Sequence, residues 1–161
     1  MADRRAPAFS GLLGHHINST SDLLRRATAL RLRREQDVSL TESRTLALVE
    51  HLQPVRLRDL TAASGSDKAQ ISRVVTALVG RGLILRSSNS RDARSAHLEL
   101  TDAGRIKAGH LARMAQDTDN ALRASLKPAE ADHLIALLAR VKDKARDLVK
   151  EEERLHPGTR L

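Results

Sequence analysis

The chain has 161 residues, a formal net charge of +8 and no cysteine. That length suits one compact core with helical extensions, and the lack of cysteine excludes a disulfide framework or a thiol switch. Every long apolar stretch is broken by Arg, Asp or His, which excludes a membrane-spanning helix.

The positive surplus favours a polyanionic partner, either nucleic acid or an anionic membrane face, and charge alone does not separate the two. Phe9 is the only residue among Phe, Trp and Tyr. Single-stranded nucleic acid is gripped by stacking bases on aromatic side chains, so a basic chain without them is expected to read a duplex through phosphates and groove edges. Met1 to Pro7 holds two arginines but no apolar core after them, a poor secretory signal, and the expected address is the cytoplasm.

Residues 1–9 carry no period and are expected to be flexible. From Ser10 the apolar positions Leu12, Leu13, Ile17, Leu23, Leu24, Ala27 and Leu30 recur at helical spacing to about Arg34. Residues 35–40 read as a connection. Thr41 is the expected N-cap of a second helix facing inward with Leu46, Leu48, Val49 and Leu52, and Pro54 ends it. Val55 to Leu57 suits a short strand and Arg58 to Ser64 a short helix. Gly65 falls where a left-handed residue is needed. Asp67 then caps a helix over Lys68 to about Arg81, buried through Ile71, Val74, Val75, Leu78 and Val79. Two short helices joined through a glycine turn make a helix-turn-helix.

The period then changes. Leu83 to Arg86 and His97 to Thr101 alternate as strands around the polar, basic segment Ser87 to Ala96, which predicts a wing. Thr101 or Asp102 caps the next helix, through Ile106, His110, Met114 and Leu122. Pro128 opens a last helix with Leu134, Leu137, Leu138, Val141, Ala145, Leu148 and Val149 at threes and fours. The fold class is mainly α with a small β-hairpin wing: residues 37–101 form a winged helix-turn-helix, residues 10–36 and 102–150 a helical dimerisation region, and residues 151–161 a flexible tail. A module this small cannot bury the outer apolar stripes, so a homodimer is expected, with an intramolecular bundle as the alternative.

Two stretches make the chain similar to the MarR (multiple antibiotic resistance regulator) family. One is Asp67-Lys68-Ala69-Gln70-Ile71-Ser72-Arg73-Val74-Val75-Thr76-Ala77-Leu78 with Gly82-Leu83-Ile84; the other is Arg91-Asp92-Ala93-Arg94 leading into Leu100-Thr101-Asp102-Ala103-Gly104. The resemblance implies a homodimer with intertwined terminal helices, paired winged modules and often a small-molecule pocket. The chain departs from the pattern at Ser66, where an aliphatic residue usually packs the turn, and at Lys127, where a capping Ser or Thr is common.

On the predicted recognition helix, Lys68, Ala69, Gln70, Ser72, Arg73 and Thr76 lie opposite the apolar positions. Gln70 can bond adenine at two points, Ala69 can touch a thymine methyl, and Lys68 can reach guanine or phosphate. Ser72 and Arg73 suit phosphates, as do Arg86 and Arg91. Arg94, on the wing, suits the narrow minor groove. Asp92 is repelled by phosphate and is expected to pair with Arg94 and shape the wing, a role the resemblance also implies; an ordinary turn-forming Asp is the alternative. A two-fold dimer would set the reading heads roughly 34 Å apart and predicts a palindromic operator.

No catalytic or metal motif occurs among the seven histidines, and no cofactor or membrane partner is expected. His15, His16, Asn18, Arg44 and His51 are candidate contacts for a small-molecule effector at the seam between dimer core and reading head, where Arg44 could pair an anion. The functional expectation is a duplex-binding transcriptional regulator, a repressor released by a small ligand. The alternatives are a constitutive architectural DNA binder and an enzyme using a histidine, which the absent acid-base and nucleophile motifs disfavour.

Overall fold

A computed structural model describes residues 10–88 and 96–156. The chain divides into two compact units, Met1–Arg113 and Met114–Leu161. In chain order the described elements are α1 (Leu13–Gln36), α2 (Leu40–Leu52), β1 (Val55–Arg56), α3 (Leu57–Ser64), α4 (Lys68–Gly80), β2 (Ile84–Ser88), β3 (Ala96–Leu100), α5 (Asp102–Arg123) and α6 (Pro128–Leu155).

The first unit is built around one apolar core. Leu46 and Val49 of α2, Leu60 of α3, Ile71, Val75 and Leu78 of α4, and Ile84, Leu98 and Leu100 of the strands are all buried. Each contributes from one stripe of its helix or one face of its strand, the arrangement that the periods 3.6 and 2 require. The sheet is antiparallel in the order β1-β3-β2. Ile84 faces Leu100 and Ser88 faces Ala96, while Val55 of β1 faces Leu98. Core residues Val55, Ile84, Leu98 and Leu100 therefore share one face of the sheet.

Three turns position α4, the hairpin and α5. Gly65, after α3, has φ +63° and supplies the left-handed residue the turn needs. Beyond α4, Gly82 is left-handed at φ +67°, with its N–H donating to Val79 O (2.9 Å) and the Leu83 N–H donating to Leu78 O (2.9 Å). This paired bonding is a Schellman stop, and it aims the chain straight into β2. At the far end of the hairpin the Thr101 hydroxyl donates to Gly82 O (2.6 Å) and accepts from the Gly104 N–H (2.9 Å). Thr101, rather than Asp102, thus caps α5 and ties it to the end of α4.

Some helix ends differ from the sequence reading. The cap of α2 is Ser39, not Thr41. The Ser39 hydroxyl accepts from the Glu42 N–H (3.2 Å) and Glu42 Oε2 accepts from the Ser39 N–H (2.6 Å), a reciprocal capping box that satisfies two otherwise orphaned donors. Leu57 opens α3 instead of closing a strand. Helix α6 continues to Leu155, five residues past the expected boundary at 150, because Glu151, Glu152 and Glu153 are good helix formers.

The second unit is the end of α5 with α6. Pro128 stands at the first turn of α6, where its missing N–H costs nothing. Lys127 offers no capping oxygen, and the end is closed from the other side: Glu130 Oε2 accepts from the Lys127 N–H (2.9 Å). Arg123 bonds Asp119 (2.8 Å) and reaches Asp132 (3.5 Å), which links the two helices. Met114 and Ala131 are buried, whereas Leu134, Ile135, Leu137, Leu138, Leu148 and Val149 are exposed.

Candidate nucleic-acid interface

Helix α4 presents two unlike faces. Ile71, Val75 and Leu78 are buried in the core; Lys68, Ala69, Gln70, Arg73 and Thr76 are exposed, and Ser72 is half-buried. All six residues expected to read DNA thus sit on α4, with Ser72 the least accessible. The Asp67 carboxylate accepts from the Gln70 N–H (2.8 Å) and so fastens the first turn. The same bond occupies the one acidic side chain beside Lys68. The Thr76 hydroxyl donates to Ser72 O (2.9 Å), which leaves its lone pairs free to accept but not its proton to donate.

The turn into α4 is held by polar groups. The Ser64 hydroxyl donates to Thr61 O (2.8 Å) and accepts from the Ser66 N–H (3.1 Å). Ser66, half-buried, therefore seats the turn through its backbone rather than through an aliphatic side chain.

The wing strands are paired out to Ser88 and Ala96. Arg86 lies on β2 opposite Leu98, and it is exposed. Arg91, Asp92 and Arg94 lie outside the described residues.

The five residues expected to meet an effector are all exposed: His15, His16 and Asn18 on α1, and Arg44 and His51 on α2. The rings of His15 and His16 meet edge to face, with centroids 5.9 Å apart and planes at 76°. Among the described residues, no hydrogen bond or ion pair joins the α1 group to Arg44 or His51. Among the described residues, no three His, Asp or Glu side chains converge as a metal site, and no helix is long and apolar enough to cross a membrane.

Sequence reasoning missed Arg81, at the end of α4. Its guanidinium donates to Glu42 Oε1 (3.1 Å) and to Asp37 O (2.9 Å), spanning from α4 to the corner between α1 and α2. Only a cation just before the glycine stop hinted at it. Burial pushes the Glu42 carboxyl up, but the hydrogen bonds from Ser39 and the charge and hydrogen bond of Arg81 outweigh it and hold the group below the usual carboxylate value.

Comparison with known proteins agrees with this geometry. The model of the MarR family matches residues 38–96, and no curated protein sequence matches the chain. A probable transcriptional regulator from Pseudomonas aeruginosa is 27% identical, with 83% of this chain and 98% of that one covered and a TM-score of 0.67. FabT of Streptococcus pneumoniae, solved in complex with DNA, is 18% identical over 84% of this chain and 96% of its own, at a TM-score of 0.75. Wild-type MarR from E. coli in its apo form is 22% identical, over 81% and 96%, at 0.69. The last two likenesses are of fold. Taken with the matched segment, they show a winged helix-turn-helix fold similar to that of MarR-family regulators.

Proposed function

We propose that the chain is a sequence-specific, double-stranded DNA-binding transcriptional regulator that acts in the cytoplasm as a homodimer on a palindromic operator, and that it is a repressor released by a small molecule. The observation that carries this reading is the division of α4: the side chains able to address base edges and phosphates, Lys68, Gln70 and Arg73, all face out, while Ile71, Val75 and Leu78 anchor the helix from behind. A recognition helix needs that combination, since base contacts tolerate little play. The FabT structure in complex with DNA, similar in fold, supports the same use of the winged module.

Dimerisation is supported by apolar side chains that a single chain leaves in water. Leu23 and Leu30 of α1 are 67% and 64% exposed, and the Leu134–Val149 stripe of α6 is exposed in the second unit. Large apolar side chains exposed at helical spacing mark association sites. The effector reading rests on the exposed cationic and polar groups His15, His16, Asn18, Arg44 and His51, a set suited to an anion.

The test is a titration of the chain against the duplex immediately upstream of its own coding sequence and against random duplex, over a range of salt. The proposal requires tighter binding to the upstream duplex and a steep fall in affinity with salt. Equal affinity for both duplexes would favour phosphate-only architectural binding and remove the regulator reading. Release of the upstream duplex by small anions tests the effector.

A further inference from the structure

The end of α1 is gripped from two sides. A helix C-terminus leaves its last carbonyls without partners and carries partial negative charge. Here Lys107 of α5 donates to Gln36 O and to Gln36 Oε1, both at 3.2 Å, and Arg81, the C-cap residue of α4, donates to Asp37 O at 2.9 Å. Two cations, one from α5 and one from the C-cap of α4, therefore close one corner, and all of these residues lie in the first unit.

The Arg81 arm is the more constrained. One guanidinium nitrogen holds a main-chain carbonyl and the other holds Glu42, which is itself fixed by the capping box with Ser39. A fork with one immobile acceptor and one locked carboxylate has little freedom to swing. The sequence separations are 44 and 39 positions, so the contact is a tertiary strut between α4 and the α1–α2 corner.

We infer that Arg81 is a positioning residue for DNA recognition, fastening the far end of the recognition helix to the end of α1 so that the pose of one sets the pose of the other. The inference rests on the reading of α4 as the DNA-reading element. Its leverage follows from geometry. From Arg81 to Lys68 the helix is about 20 Å long, so a tilt of about 10° at the clamp moves the first turn by roughly 3 Å. A base-edge hydrogen bond from Gln70 does not survive that displacement. The long side chains of Lys68 and Arg73 follow a phosphate through it. Loosening the strut should therefore cost sequence-specific affinity and spare the electrostatic component.

The experiment compares the full chain with Arg81→Gln, Arg81→Lys, Glu42→Gln and the Arg81→Gln/Glu42→Gln double variant by fluorescence anisotropy. The probes are the duplex upstream of its own coding sequence and a random duplex, well below each variant's Tm and across salt. Expected is a loss of about tenfold for the upstream duplex in either Gln variant and no further loss in the double variant. Arg81→Lys should recover part of the affinity, and binding to random duplex and its salt slope should stay unchanged. Parallel weakening on both duplexes with a shallower salt slope would make Arg81 a phosphate contact and overturn the inference. A lowered Tm with upstream affinity unchanged would overturn it too, leaving a strut that only stabilises. A wild-type chain that binds both duplexes alike would overturn the functional reading first, and the inference with it.

Discussion

Gly104 is pressed against the main chain at Leu83: a β-carbon on Gly104 would overlap the Leu83 carbonyl oxygen and lie 3.4 Å from the Leu100 β-carbon. The contact is where α5 crosses the start of β2, and the Thr101 hydroxyl locks it by bonding Gly82 O and the Gly104 N–H at once. The Leu100-Thr101-x-x-Gly104 pattern is thus a joint between the recognition helix, the wing and α5. Gly104→Ala is expected to destabilise the chain by about 2 kcal/mol through overpacking against rigid backbone, a fall in Tm of roughly 4–8 °C. Gly109, one and a half turns further along α5, has open space where a β-carbon would stand. Gly109→Ala should instead stabilise, by about 0.5–1 kcal/mol, through helix propensity. Thermal melts at one protein concentration check both signs, and a fall for Gly109→Ala would contradict the account.

These glycines show what the sequence could and could not reveal. Gly65 was legible because a left-handed residue after a helix is a local requirement, and the alternation in His97–Leu100 marked β3 because its period is local too. The outward face of α4 followed from its helical period. Legibility failed where the partner is distant. Nothing local says that Arg81 reaches Glu42 and Asp37, or that Lys107 reaches Gln36, because the fold alone brings those positions together. The Ser39 cap was a different kind of miss: Ser39-Leu40-Thr41-Glu42 carries the Ser-x-x-Glu spacing of a capping box, and placing the cap at Thr41 drew the boundary two residues too late.

Asp37 offers a test of backbone strain. It is the one non-glycine described residue with positive φ, at +50°, and its side chain is 84% exposed with only long ion pairs of 3.7 and 3.8 Å to Arg33 and Arg81. Pairs that exposed contribute little, whereas the left-handed conformation costs an L-residue on the order of 1 kcal/mol. Asp37→Gly should therefore raise stability by up to about 1 kcal/mol, and Asp37→Val should lower it, since a β-branched residue tolerates this region worst. Denaturant midpoints of the two variants give the answer. The Arg81 strut should survive both changes because it bonds the main-chain oxygen.

The lowered pKa of Glu42 makes a prediction about acid. A carboxyl with a folded value below its unfolded one contributes stability that is fully present above the unfolded value, near 4.5, and is lost as pH falls through the folded value. Glu42→Gln keeps an acceptor for the Ser39 N–H but removes the charge facing Arg81. Its Tm should lie below that of wild type at about pH 6, with the gap closing toward about pH 3. A gap that stays constant across that range would show that the Glu42 charge contributes nothing.

The exposed leucines on α1 and α6 predict the assembly. Leu23→Asp and Leu138→Glu each place a charge on a position that a lone chain leaves in water, 67% and 44% exposed, so the fold of the single chain should be unaffected. If these stripes pair between two copies, either change buries an unpaired charge at the interface and should shift the sedimentation mass from twice the 17.7 kDa chain to a single copy. Binding to the upstream duplex should fall with it, because a monomer engages one half-site. An unaltered mass in both variants would mean that these stripes are not the interface.

On the reading face, Gln70 and Arg73 lie one turn apart on the same helix and differ in the term they would supply. If Gln70 bonds base edges as proposed, Gln70→Ala should weaken the upstream duplex by about 1–3 kcal/mol and relax preference at one base position, with random duplex unaffected. If Arg73 neutralises a phosphate as proposed, Arg73→Ala should weaken both duplexes together and reduce the slope of log affinity against log salt by roughly 0.9 per half-site. Arg94 is expected in the minor groove, where width matters more than sequence, and Arg94→Ala should resemble Arg73→Ala with a larger loss on A·T-rich flanks. Competition assays on these three variants separate the roles, because a residue that only supports the fold would move the Tm and leave the salt slope and the base preference where they were.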